Sequence, residues 1–372
     1  ALPLQAMAGD GAHLFVSADD GTIPLRPGET VQSVLAQRRD LELHSYYHEI
    51  EPHTMRSEFV PVSVQAAEAW RVANRGGELT EEQAGHLDRL KQEVDDHVAG
   101  TFRGKPVFMR LSTRSPKDAM DKLPRLRAQL VGMLRDRLNA SDGDNAKLST
   151  LQDCLTELAA VRSAAEFIEL VSHSSRCVSD LVRLLDYQDD LPSWDLHIII
   201  REFVPIPGSA EFRCFVHAGR MTAISQYFAS TFYPEVVPVA PALRKQIAKF
   251  HTEHGSSITL DSYIMDVAVL EGKFCIIELN PWAQTTGSCL FDWTTDHEVL
   301  HRGTAPEIGV VREEGSKSDV YQEVLPEIRV VREEAKHLDV YLMPFADLFE
   351  EASVPVGGAG GRDGGGGRCC VQ

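Results

Sequence analysis

Three oxygen-bearing side chains gather near the end of one apolar stretch: Asp266, then Glu278 and Asn280 two residues apart in Ile277-Glu278-Leu279-Asn280. Alternate residues of a strand share a face, so Glu278 and Asn280 point the same way. Glu271-Gly272-Lys273 reads as the turn of a hairpin between strands Tyr263–Leu270 and Phe274–Asn280. A three-residue loop pairs Leu270 with Phe274 and sets Asp266 opposite Glu278. A two-residue loop sets Asp266 opposite Ile277 and parts the two acids. In the first register, carboxylates facing each other across a sheet destabilise it unless something neutralises them. A magnesium ion does so, since it takes oxygen ligands together with nucleotide phosphates. The competing reading is a solvated acidic face, against which the flanking Ile264, Ile276, Ile277 and Leu279 argue. Neither Asp266 nor Asn280 is expected to pack in the core, so alanine at either should leave the fold intact.

A second set is basic. Arg110 closes the apolar strand Pro106–Leu111, Lys117 follows Ser115-Pro116 in the first turn of an expected helix, and Arg213 stands mid-strand in Glu211–Val216. Arg213 shares a face with Glu211 and Phe215, while Phe212, Cys214 and Val216 face the core. Phosphate oxygens need positive groups and free backbone N–H donors, which a helix start supplies. Three unrelated surface ion pairs are an equal alternative. Arg201-Glu202-Phe203-Val204 leads into Pro205-Ile206-Pro207-Gly208, a strand entering a stiff segment that could act as a hinge. Its backbone could face an adenine, with Glu202 accepting from the exocyclic amine.

Other chemistries lack their signatures. There is no GxxxxGK[ST] and no GxGxxG, and the 14 histidines form no credible triad. The seven cysteines are odd in number and scattered without a CxxC pair, which favours reduced thiols and a cytoplasmic setting. A formal net charge of −18 disfavours nucleic acid and anionic membranes and suits a basic patch on a partner protein. No apolar run reaches the roughly 18 residues of a membrane span, and no signal-peptide core is evident.

The elements that must position these groups follow from caps and periodicity. Residues 1–57 give weak signals, with one helix expected near Glu29–Arg39. A short strand at Glu58–Val62 precedes a helix capped by Ser63. Thr80-Glu81-Glu82-Gln83 is a capping box for a polar helix to about Val98, expected as a solvated arm. Helices are expected at Pro124–Asn139, Thr150–Ala160 and Ala164–His173. From Asp195 strands prevail: Leu196–Val204, then hairpins Glu211–His217 with Arg220–Gln226 and Tyr263–Leu270 with Phe274–Asn280, with a helix at Pro241–His254 between them. The order predicts an α+β fold with an antiparallel sheet in the C-terminal part. Pro306–Glu314 recurs as Pro326–Glu334, each followed by Asp-Val-Tyr, a local duplication adding a strand or a surface flap. A Gly-rich tail, 355–372, ends in Cys369-Cys370-Val371-Gln372, a prenylation-like box on Cys369.

Several blocks together resemble the cell division cycle protein 123 family. They are Ser115–Ala119, Arg201–Pro207, Glu211–Val216, Ile224-Ser225-Gln226, Ile277–Trp282 and Leu290–Trp293, covering roughly residues 58–295. The resemblance implies an ATP-grasp-like fold of two lobes with ATP and magnesium between them. The lobes would be 58–194 and 195–303, followed by the duplicated extension 304–354. It implies Asp266, Glu278 and Asn280 as metal ligands, and Arg110, Lys117, Arg201 and Arg213 near the phosphates, with Glu202 and Phe203 at the base. It also implies an assembly chaperone for translation initiation factor 2, binding its gamma subunit, with the chain a monomer. Carboxylate–amine ligation through an acyl phosphate, the common chemistry of ATP-grasp proteins, is the alternative. The chain departs from the family's pattern at Arg110 (Lys is usual), at Glu202-Phe203 (Lys-Trp is usual) and at Glu278 (Asp is more usual).

Overall fold

The structure, a computed structural model, describes residue 39 and residues 41–191, 193–284, 286–303 and 325–354, with Asp190 as backbone only. The first duplicated copy, the Gly-rich tail with Cys369, and the helix expected near Glu29–Arg39 (Arg39 itself excepted) lie outside the described residues.

Two sheets organise the chain. The first has strands β1 (Ser57–Pro61), β2 (Val107–Leu111), β3 (Ala160–Val161) and β4 (His197–Glu202), in the order β1-β4-β2-β3 with antiparallel neighbours. Alternation explains its two faces. Val107, Met109 and Leu111 of β2 are buried in a helical core, while Phe108 and Arg110 look the other way.

The second sheet has β5 (Glu211–His217), β6 (Arg220–Gln226), β7 (Tyr263–Leu270), β8 (Lys273–Pro281) and β9 (Glu327–Arg329), in the order β8-β7-β5-β6-β9. All its pairs are antiparallel except β6 with β9. The expected mixed fold with an antiparallel C-terminal sheet is therefore observed. The second duplicated copy supplies the parallel edge strand.

Helices α1 (Leu43–Ile50), α2 (Val64–Asn74), α3 (Glu81–Gly100), α4 (Pro124–Arg137), α5 (Asp144–Leu158), α6 (Ala164–His173) and α7 (Ser175–Asp186) precede the second sheet. Ser63 caps α2, and the Thr80–Gln83 capping box opens α3 as its sequence requires. Contrary to the expected solvated arm, α3 buries Leu87, Leu90, Val94 and Val98, one stripe at helical spacing. Ser115-Pro116 does not start a regular helix. Only a 3₁₀ turn, Lys117–Ala119, follows, and the Ser115 hydroxyl caps nothing.

Beyond the first sheet, α8 (Val236–His254) packs with α1 on one face of the second sheet. After α9 (His297–Arg302), the helices α10 (Asp339–Leu342) and α11 (Ala346–Ser353) return to the first core, where Leu342, Phe345 and Leu348 are buried.

Candidate functional site

The hairpin β7–β8 closes with a two-residue turn, Leu270 pairing with Lys273, and not with the three-residue loop on which the Asp266–Glu278 pairing was predicated. Glu271 and Gly272 both have positive φ, 50° and 77°, as a tight hairpin turn of this twist demands. The acids nevertheless face each other. A bulge follows: Val267 pairs with Ile276 and Asp266 with Glu278, so Ile277 is the extra residue. The bulge shifts the register by one and returns Glu278 to the face of Asp266. It also turns Ile277 toward the space between the sheets, with its carbonyl accepting from Arg201 Nη1 at 2.7 Å.

What neutralises these acids differs from expectation. Because β5 lies beside β7, Arg213 stands directly across from Asp266. Its Nε and Nη2 donate to the two carboxylate oxygens at 2.8 Å each, while Nη1 donates to the Gly287 carbonyl at 2.6 Å. Asn280 Nδ2 donates to Asp266 Oδ2 at 2.9 Å. Glu278 Oε2 accepts from Arg110 Nη1 of the first sheet, an ion pair joining the sheets. Two guanidinium groups thus balance two carboxylates, and no metal is required to relieve their repulsion. Asp266 and Asn280 are 1% and 4% exposed, so the expectation that they stand outside the core is corrected. Burial opposes ionisation of Glu278, but Arg110 and then Lys117 outweigh it and hold that carboxyl at about 2.

Between the sheets runs a cleft in two connected parts, sharing Phe108, Lys117, Arg201 and Ile277 as walls. The larger, about 990 Å³ of empty space, is mainly apolar, with Met120, Leu155 and Phe228 facing Glu202-Phe203-Val204 of the connecting segment. The other, about 870 Å³, is polar. It presents Arg110, Arg114, Lys117 and Arg176 beside Glu278 and Asn280, beneath Tyr46 of α1.

The predicted residues divide accordingly. Arg110, Lys117, Arg201, Glu278 and Asn280 line the polar part, and Glu202 and Phe203 line the apolar part. Arg213 and Asp266 form neither wall; they lie behind, as a wholly buried pair. Arg201 is itself buried, donating to Thr54 Oγ1 at 2.7 Å and Ser57 Oγ at 3.2 Å as well as to Ile277. Lys117 alone of these cations makes no side-chain hydrogen bond or ion pair among the described residues.

Sequence reasoning missed four groups on these walls. Arg114 and Arg176 come from irregular or helix-end positions with no periodic signal, and Tyr46 from the weakly patterned N-terminal part. The fourth, Glu211, lines the apolar part, its carboxylate accepting no hydrogen bond among the described residues. Burial, against the pull of Lys117, raises its carboxyl to about 7. Its placement on the Arg213 face was readable; its role was not.

Comparison with known proteins gives consistent relatives. The family model described as D123 matches residues 150–343, just over half of the chain. A translation initiation factor eIF2 assembly protein of Xenopus laevis is 29% identical over 130 residues, 34% of this chain and 37% of that one. The protein of the same name from Candida albicans is 27% identical over 251 residues, 63% of this chain and 64% of its own. The chain thus spans between about a third and somewhat under two thirds of the curated relatives it matches. The structure of Cdc123 from Schizosaccharomyces pombe superposes with a TM-score of 0.53 at 16% identity, covering 79% of this chain and 96% of that one. At that identity the likeness concerns the fold. No helix among the described residues is long and apolar enough to cross a membrane. On the extent of the family match, the chain belongs to the D123 family.

Proposed function

We propose that this chain binds ATP with magnesium in the cleft between its sheets, in an ATP-grasp-like manner with each sheet serving one lobe. We propose further that it acts, like its named relatives, in assembling translation initiation factor 2 through the gamma subunit, in the cytoplasm. The observation that carries the reading is the division of one cleft into an apolar part beside Glu202-Phe203-Val204 and a cationic part around Arg110, Lys117 and Arg201. A nucleotide has the same two halves. Its base prefers apolar walls with a few polar edges, and its phosphates need cations.

The donor set fits a hard cation. Glu278 keeps one carboxylate oxygen, and Asn280 its amide oxygen, free of hydrogen bonds among the described residues. Asp266 accepts three bonds where a carboxylate has about four sites. Glu278 and Asn280 would hold magnesium, with Asp266 behind them fixing the Asn280 amide and adding its own charge. The ion would neutralise charge on the phosphates. Arg110 would exchange Glu278 for a phosphate oxygen, and the unpaired Lys117 would meet the phosphates directly.

Calorimetry with ATP, with and without magnesium, tests the site. Glu278→Gln should remove most of the magnesium-dependent gain, and Lys117→Ala should weaken ATP by about 10–100-fold, as loss of a charged contact of about 1.5–3 kcal/mol implies. Adenosine should bind Lys117→Ala as it binds the parent. Unchanged ATP affinity in both variants overturns the nucleotide site. Failure of the parent chain to capture the gamma subunit overturns the assembly role alone.

A further inference from the structure

Beside the polar part of the cleft, helix α1 and the start of β4 bring together His44, Asp195 and His197. His44 Nε2 lies 3.2 Å from Asp195 Oδ2, and His197 Nδ1 lies 3.4 Å from Asp195 Oδ1. The two imidazole centroids are 4.3 Å apart, and one ligating atom from each residue falls within 4.8 Å of the others. Zinc bound tetrahedrally at about 2.0–2.2 Å separates its ligand atoms by roughly 3.3 Å, the edge of that tetrahedron. The His197–Oδ1 spacing matches that edge, and His44 Nε2 approaches the other oxygen of the same carboxylate.

Hydrogen bonding alone accounts for only half of the cluster. It explains the His44–Asp195 contact but leaves His197 Nδ1 with the 3.4 Å approach to Asp195 Oδ1 and no hydrogen bond among the described residues. Outer groups are those that orient ligands. Glu42 Oε2 stands 3.8 Å from His44 Nδ1, and Arg39 Nε donates to Asp195 Oδ2 at 2.8 Å, leaving Oδ1 for coordination. Arg39 adds a positive charge that limits affinity without blocking the ligand atom.

We propose that His44, Asp195 and His197 bind one zinc-class divalent ion, with water completing the tetrahedron. The ion links two parts of the fold. His44 rides on α1, whose Leu43, Tyr46 and Ile50 belong to the core of the second sheet, while His197 opens β4 of the first. Tyr46 of the same helix accepts from the Leu279 amide at 2.8 Å, between Glu278 and Asn280. The ion therefore pins the helix that roofs the polar part of the cleft. Its existence does not depend on nucleotide binding.

The test uses the untagged full chain, stripped with a chelator and titrated with cobalt(II), then zinc. The expected result is one equivalent of cobalt with a visible d–d band, no thiolate charge-transfer band, and displacement by zinc. His44→Gln and His197→Asn should each lower affinity by more than the roughly 10–100-fold that loss of a supporting partner costs. Both should melt like the stripped parent, and zinc should raise the melting temperature of the parent only. No stoichiometric binding, a thiolate band, or unchanged affinity in the variants overturns the site. If His197→Asn does not fold, His44→Gln decides alone.

Discussion

Asp266 shows how a side chain readable as a ligand can also be a structural anchor. Period-two alternation made the shared face of Glu278 and Asn280 legible, but Asp266 joins it through the bulge at Ile277 and not through the loop length read from the sequence. The neutralising arginines were not legible as partners. Which cation lies across from Asp266 depends on β5 neighbouring β7, and that order is a property of the sheet rather than of the hairpin. The consequence is energetic. Arg213 is 0% exposed, so removing its carboxylate leaves a charged group buried without its partner. Asp266→Ala should lose about 3–5 kcal/mol in urea unfolding. It would report on folding before it reported on nucleotide. Arg213→Met with Asp266→Leu should recover much of that loss, since well-packed apolar residues replace a buried pair at little cost. If Asp266→Ala unfolds at the parent's midpoint, the pair does not act as the structure implies.

At the level of elements, capping and turn chemistry carried most of the information. Ser63, Thr80 with Gln83, and the strands around Ala218-Gly219 were placed within a residue or two of where they stand. The helix Ser175–Asp186 was missed for a local reason. Ser174 ends α6, its amide donating to Val171, and also caps α7, its hydroxyl accepting from Cys177. One residue serving two helices gives no polar spacer to read. The β8 bulge was equally hidden, because nothing about Ile277 in sequence distinguishes it from a paired residue. Its turn makes a sharp expectation. Glu271 holds φ 50° without being glycine or asparagine, and Gly272 holds φ 77° with open space around its missing Cβ. Glu271→Asn should therefore stabilise the protein by up to about 1 kcal/mol, whereas Gly272→Ala should cost about 1–2 kcal/mol from backbone strain alone. Thermal melts of the two variants should shift in opposite directions. Shifts of the same sign would mean the turn does not hold this geometry.

Across the whole molecule, the chain's late segments do not form an appendage. The second duplicated copy enters the second sheet as β9, where Arg329 bonds Asp296 through two 2.7 Å contacts and lies 4.1 Å from the centre of the Phe291 ring. The first copy has Gly309 at the position of Arg329, so it lacks that anchor. After β9 the chain crosses to the first core, where Arg127 of α4 bonds Asp347 and Glu351, and Arg135 donates to the carbonyls of Glu351 and Ala352. No sequence pattern announced this return, since an apolar stripe on a short helix does not say which core it joins. Phe345, 1% exposed and more than 200 residues after α4, is the test. Phe345→Ala should cost about 3–5 kcal/mol, as deletion of a buried aromatic side chain does. Hydrogen exchange should localise that loss. Protection should fall in α4 (Pro124–Arg137) and in α5, against which α4 packs, and hold in β5–β8, which belong to the other core. Loss of protection confined to residues 339–353, with α4 unchanged, would show that the returning helices rest on the first core without supporting it.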